Sequence, residues 1–545
     1  MAFDLRNFQD PELDSEYVTY LVDQRGPETA PSLSRLWNYF LNPLMPAIGL
    51  TVDTLNAGSR SYVQAQESGL PPRITGIWHP QTTDRQIPEL RRKEVVIEND
   101  IAWRLHTMID FLFGKGLTVH SLADDPDVAS VVERVAAALL EANGGIRFLQ
   151  EMALLGAVYG FVDVALRAPA GGPADAPSLP RLAENPSAGG QLSRPGAPGA
   201  DAANAESDNV NGQKDSTLDR SKTRAERAVS LARKLQLETV EASRVLPILH
   251  EDDYRRVRYW IQRYQKHPPR LADTKRAWLG FNWNTRRSAS PAVVEVVEIL
   301  GADWWQRYED RQLVAEGPNV LGRVPVVHIQ NIALPGSYVG MSDVEPLIPL
   351  QDELNTRLSD RANRVTFQSF KMYLGKGIDD FLERPVAPGQ MWATQNLDAE
   401  IAEFGSDTGS PSEDAHIEQV RQAMDKVSGV TPLAAGLIRG SVGNLTSATA
   451  LKVVLSGLLA KTTKKRLTYG AGLQQIIDLS LEWLAIAGVL KTTPADRKVE
   501  INWPSALPAD EGEQLRNAQI KAQLGVHPQQ ILAELGYANQ AANVH

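Results

Sequence analysis

The segment from Ser447 to Ala487 constrains this chain more than any other. It reads as one helix of about 40 residues, roughly 60 Å long if straight, or about twice the diameter of a small domain. Gly470 and Gly472 favour a bend within it. The run leading into it, AAGLIRGSVGNLTSATA at 434–450, carries Gly436, Gly440 and Gly443. A glycine-rich turn feeding a helix start is the usual geometry for holding a phosphate, because free N–H groups and the helix dipole both favour an anion.

The nucleotide reading fails on chemistry. A phosphate loop needs GxxxxGK followed by Ser or Thr, the lysine reaching the outer phosphates and the hydroxyl holding magnesium. This run has no lysine before Lys452, and the only Gly-Lys pairs, Gly114-Lys115 and Gly375-Lys376, are each followed by glycine. Its glycine spacing is not GxGxxG, and no Val/Ile-rich strand precedes it. The glycines read instead as a mobile turn joining two helices, with Thr446 or Ser447 capping the second.

Other catalytic sets are missing too. The 545 residues include no cysteine, which excludes disulfides, thiolate metal sites and a cysteine nucleophile together. Neither HExxH nor GxSxG occurs. His250-Glu251-Asp252-Asp253 reads as a solvated turn before a cation site, and His106 as a packed or surface histidine. No enzyme, cofactor or metal is expected. With 43% hydrophobic and 22% charged residues the composition is that of a soluble globular protein of two or three domains. The N-terminus lacks the apolar stretch of a signal peptide, and the most apolar segments are interrupted by Lys452, Asp478 and Glu482, so no membrane span is expected. A formal charge of −10 argues against a surface that grips nucleic acid everywhere, and leaves room for local basic patches. One such patch is KTTKKR, with Lys461, Lys464, Lys465 and Arg466. It is either a solvated helix face or a contact with a polyanion or a neighbouring subunit. Arg439 poses the same choice.

Along the chain, 89–120 predicts a helix with Val96, Ala102, Leu105, Ile109 and Leu112 on its apolar face, then a strand. Residues 168–225 are rich in Pro, Gly, Ala and Ser, with no aromatic between Phe161 and Tyr254, and read as a disordered insertion. Strand signals follow in YRRVRYWIQRY, VVEVVEIL, WWQRYEDRQLVAEG and RVPVVHIQN. The next helix starts either at a capping box of Ser342 and Glu345 or at Pro349, with Leu350, Leu354, Leu358 and Val365 as its stripe. Residues 370–408 read as a small β module. A second helix is capped by Ser410, opens on Pro411 and stops at Gly429, with Ile417, Val420, Met424 and Val427 along one face. KVEINW predicts a strand, and Asp510 with Glu513 caps a helix to Gln523. The fold class is α+β.

This order of elements resembles the tailed-bacteriophage portal protein family. The residues that carry the resemblance are NVLGRVPVVHIQN at 319–331, SDVEPLIPLQDELNTRLSD, TSATALK (where many members have Gly at the position of Ala448), and the C-terminal LGVHPQQILAELG. The resemblance implies an N-terminal region and α/β wing over 1–335, a stem helix over 336–369 and a clip over 370–408. A second stem helix at 409–430, a tunnel loop at 431–446, a long bent helix returning to the wing at 447–505 and a helical crown at 506–545 would follow. It implies a homo-oligomeric ring, commonly dodecameric, at one capsid vertex of the virion, assembled in the host cytoplasm, through which double-stranded DNA is packaged and ejected. The implied partners are the terminase large subunit, a major capsid or scaffolding protein and a head-tail adaptor. Leu437, Ile438, Arg439, Gly440, Ser441, Gly443 and Asn444 would line the DNA channel, and the motor would dock near Lys371, Lys376, Asp379 and Asp380. In such a ring the charged stem helices would pair across neighbours. The competing readings are a capsid or adaptor protein without a channel, and a nucleotide-driven packaging subunit, which the missing phosphate-loop lysine disfavours.

Overall fold

The computed structural model describes residues 3–41, 96–167, 216–266, 293–369, 372–376, 398–404, 411–436, 448–507, 511–525 and 531. Helix α1 (Ser15–Tyr20), capped by Asp14, continues through a π turn at Leu21–Arg25 into α2 (Gly26–Leu41). The side chain of Asn99 accepts from Ala102 N to start α3 (Asp100–Phe113), which is followed by β1 (Thr118–Ser121). Asp125 and Pro126 start α4 (Pro126–Ala142), and α5 (Ile146–Tyr159) leads into β2 (Phe161–Arg167), a strand buried on both faces.

After α6 (Ser216–Ala232) come β3 (Gln236–Val240), β4 (Val245–Leu249), β5 (Val257–Lys266), β6 (Val294–Leu300), β7 (Trp304–Glu309), β8 (Gln312–Pro318) and β9 (Val326–Gln330). Strands β4 to β8 form an antiparallel meander, while β3, β2 and β9 form a second antiparallel sheet with β2 in the middle. The two-residue turn between β7 and β8 holds Asp310 at φ 46° and Arg311 at φ 66°, the left-handed pair that matches strand twist in a hairpin. Arg311 is held there by an ion pair with Asp23 and by the Phe3 ring, 5.7 Å away.

The remaining elements are α7 (Ile348–Ser369), the hairpin β10 (Met372–Lys376) with β11 (Glu400–Phe404), α8 (Pro411–Ser428), α9 (Ala448–Val454), α10 (Ser456–Ile486), β12 (Val499–Asn502) and α11 (Glu511–Gln523). Strand β12 pairs antiparallel with β1, so the end of the chain closes back on the helical layer. The largest core lies between α10, β2 and β9 on one side and α3, α4, α5 and α6 on the other, with Phe113, Leu139, Met152, Ile329, Leu473 and Trp483 at its centre. A second core, built on Leu105, Leu347, Leu354, Ile417, Met424 and Leu458, joins α3 to α7, α8 and the start of α10. The N-terminal segment covers one face of the meander through Phe3, Phe8, Val18 and Val22.

Several expectations shift. The 89–120 helix starts only at Asp100; Val96, read as part of its stripe, lies before it in a segment without regular secondary structure. The end of the 168–225 stretch is helical from Ser216 onward, and Ala228 and Ala232 seat that helix in the core. Of the two starts for the helix after β9, the structure takes the later one, at Ile348. Ser342 Oγ caps a 3-10 turn at Glu345–Leu347 by accepting from Val344 N and Glu345 N. The long helix breaks at Leu455 (φ −90°, ψ 5°), and Gly470 and Gly472 sit inside unbroken helix. Gly472 is there for close packing: a Cβ on it would lie 2.4 Å from Ile329 Cδ1. Ser410 and Asp510, the expected caps of α8 and α11, lie outside the described residues.

Candidate functional site

The region that the sequence singles out is the glycine-rich run, and the structure describes the frame from which it hangs. Helix α8 leads into it and α9 and α10 lead away. Gly429 ends α8 at φ +74°, a conformation that side chains resist, and its backbone lies against that of Gly457 near the start of α10. A Cβ on Gly429 would be 3.5 Å from the Gly457 carbonyl carbon. Residues 437–447 lie outside the described residues, among them Leu437, Ile438, Arg439, Gly440, Ser441, Gly443 and Asn444.

Two buried charged groups lock this frame. The first is Arg104 on α3. Its Nη1 donates to Val430 O (2.7 Å) and Ser428 Oγ (3.2 Å) and pairs with Asp425 Oδ1 (2.6 Å), while Nη2 reaches Asp100 at 3.4 Å. One guanidinium therefore ties the Asp425 and Ser428 side chains of the last turn of α8 to the carbonyl of Val430, the first residue beyond Gly429.

The second group is Asp343. Lys461 Nζ lies 2.8 Å from its Oδ1 and Lys465 Nζ 2.5 Å from its Oδ2, and Asn331 Nδ2 donates to Oδ2 at 2.8 Å. Lys461 also donates to Ser428 O (3.1 Å), so it bridges the end of α8 to α10. Asn331 in turn accepts from Tyr469 Oη (3.2 Å) and donates to Met341 O (3.0 Å). Burial alone would raise the Asp343 carboxyl, but the two ammonium groups overcome it and hold the pKa down to about 2. Burial pushes Lys465 below its ordinary range, against the pull of Asp343 and with the push of Lys461.

The basic run KTTKKR is therefore not one surface. Lys461 and Lys465, one helical turn apart, face inward to Asp343. Arg466 lies along the Trp503 ring (5.2 Å) and donates to Pro504 O at 2.9 Å. Lys464 is the member that faces solvent. Asp343, Asn331, Arg104 and Ser428 are missing from the sequence-based set. The legible clue was the four-residue spacing of Lys461 and Lys465, which puts two cations on one face that needs an anion.

Below this frame α7 and α8 run side by side, and their charges pair within the chain. Arg364 pairs with Glu413, Arg361 with Asp414 (2.9 Å), His416 with Glu353 (3.0 Å) and Arg421 with Glu98 (2.5 Å). Burial works to raise Glu353, but Arg357 and His416 lower it overall. Beside the apolar contacts of Leu354, α7 buries a polar row. Gln351, Asn355 and Ser359, one turn apart and fully buried, form a ladder to the backbone before α3. Ser359 Oγ accepts from Val96 N (2.9 Å), Asn355 Oδ1 from Glu98 N (2.9 Å) and Gln351 Oε1 from Asp100 N (3.1 Å).

Of the expected motor-docking residues, Lys376 is exposed at the end of β10, opposite Glu400 in the hairpin; Lys371, Asp379 and Asp380 lie outside the described residues. His106 is exposed against the Phe40 ring, and His250–Asp253 forms a surface turn. Among the described residues no helix is long and apolar enough to cross a membrane, and no group of His, Asp and Glu could hold a metal ion.

Residues 283–536 match the family model of the phage portal protein, SPP1 Gp6-like. No curated protein matches the chain.

Proposed function

We propose that this chain, whose residues 283–536 match the family model of the phage portal protein, is the subunit of a portal ring at the virion's capsid vertex whose axial channel passes double-stranded DNA during packaging and ejection. The observation that carries the reading is the frame of the glycine-rich run. A segment without a phosphate-loop lysine is suspended between two helices whose roots are fixed by Arg104 and Asp343. The described residues on either side of the run are thus held in place from two directions.

The electrostatics suit a conduit. Affinity for DNA comes from neutralising phosphates, so a channel that lets a duplex slide must offer few free cations. Here the net charge is −10, and the interior takes two of the four cations of KTTKKR. Lys464 and Arg439 are left to meet phosphates transiently. In this reading 370–408 forms the clip, where Lys371, Lys376, Asp379 and Asp380 meet the terminase large subunit. The ring, a dodecamer, also contacts a capsid or scaffolding protein and a head-tail adaptor.

Negative-stain microscopy of the purified chain tests the proposal. A stemmed ring with an axial opening is expected; a particle that stays monomeric at high concentration, or an assembly without an opening, sinks it.

A further inference from the structure

Helix α11 (Glu511–Gln523) stands apart from the rest of the described chain. Among the described residues it makes no substantial contact with any other element. Leu515, Ile520 and Leu524 are 58%, 52% and 78% exposed. A 13-residue helix is at the length where an isolated helix is marginal in water, and helices gain most of their stability by packing an apolar face. Among the described residues this one has no face packed against the rest of the chain.

The placement of the apolar residues says what kind of cover it needs. At 3.6 residues per turn, Leu515, Ala518 and Ala522 share one side, while Ile520 and Leu524 point roughly 170° away. Leu524 belongs to the same helical surface, since its N–H still donates to Ile520 O at 3.0 Å before Gly525 turns the chain at φ +86°. A helix docking on one partner has a single stripe; two opposed stripes require partners on two opposed sides. In a closed head-to-tail ring every element has a copy of itself ahead and another behind, and the two contacts use different surfaces. The two sides of α11 differ in that way: one is flattened by two alanines, and the other carries two large aliphatic side chains that can seat on it.

We infer that α11 is an intersubunit helix, with Leu515, Ala518 and Ala522 against one neighbouring copy of the chain and Ile520 and Leu524 against the other. The inference rests on the ring reading above and adds which surface joins the subunits at this end.

Cysteine pairing tests it cleanly, because the chain has no cysteine of its own. In the full chain carrying Ile520→Cys and Ala522→Cys the two thiols lie on opposite sides of α11 and cannot reach each other. Mild oxidation should then give a ladder of covalent multimers on a non-reducing gel, with most of the protein above the monomer. Either single substitution should stay at monomer and dimer. Rings seen by microscopy together with a doubly substituted chain that remains monomeric on the gel would overturn the inference and leave the ring standing. The absence of rings in the unsubstituted protein would remove both. Should the cysteine chain fail to fold, Ile520→Ser with Leu524→Ser gives the same decision. The free-subunit fraction should rise at least tenfold at fixed concentration, and an unchanged fraction overturns the inference.

Discussion

Lys465 Nζ lies 2.5 Å from Asp343 Oδ2, and the two side chains are 3% and 1% exposed. Removing one member of a buried pair leaves the other charge without compensation. Asp343→Ala should therefore cost about 3–5 kcal/mol, whereas replacing both, as Asp343→Leu with Lys465→Met, should cost less, since Lys461 keeps its bond to Ser428 O and is the more exposed of the two cations. Urea denaturation of the three proteins measures this; a single substitution no worse than the double would show that the pair is not coupled.

The same pair predicts an acid limit. The Asp343 pKa falls from 3.8 in the unfolded chain to about 2 in the folded one. The charged carboxylate thus adds about 2 kcal/mol that is fully present above pH 4 and lost as the pH falls towards 2. Melting temperatures measured down this range should drop more steeply for the natural chain than for the Asp343→Leu, Lys465→Met chain; parallel curves would contradict the assignment.

Gly472→Ala should destabilise by about 1–3 kcal/mol, because the added methyl would meet Ile329 at 2.4 Å. Ile329→Ala, costly on its own at the centre of the core, should cost less in the Gly472→Ala chain than in the natural one. Thermal melts giving the same cost in both chains would place the strain elsewhere.

Replacing Gln351, Asn355 and Ser359 together by Ala should release the segment before α3. The amides of Val96, Glu98 and Asp100, which those side chains hold, should exchange hydrogen at least tenfold faster, each bond contributing about 1 kcal/mol. Unchanged protection would mean that other contacts hold the segment.

Arg439→Ala should leave ring assembly intact and alter packaging or retention of DNA. Normal packaging with this substitution would remove the residue from the proposed mechanism.

Local chemistry made much of the fold legible. Pro411 and Gly429 bound α8 where the sequence places its ends, and Ile417, Val420 and Met424 are buried as their spacing requires, while Val427, read on the same face, is exposed. Helix α7 was legible in length but not in orientation. Of Leu350, Leu354, Leu358 and Val365 only Leu354 is fully buried and Val365 is exposed, because the inward face includes the polar row of Gln351, Asn355 and Ser359. Apolar periodicity cannot register a face that is buried through hydrogen bonds. The site was half legible for a related reason. A run of cations looks like surface, and its anion, Asp343, lies more than a hundred residues away in sequence. Nor does the sequence alone say that glycines 470 and 472 serve packing, since a glycine that bends a helix and one that admits Ile329 are the same letter.

The meeting of Gly429 with Gly457 has a consequence for how such a chain can change. The two glycines lie within van der Waals distance of each other, so α8 and α10 meet at a closed base whatever joins them in sequence. Lengthening a connection of this kind is cheap, about 0.6 kcal/mol for each doubling. Insertions and deletions between the two glycines therefore leave the meeting of α8 and α10 as it is.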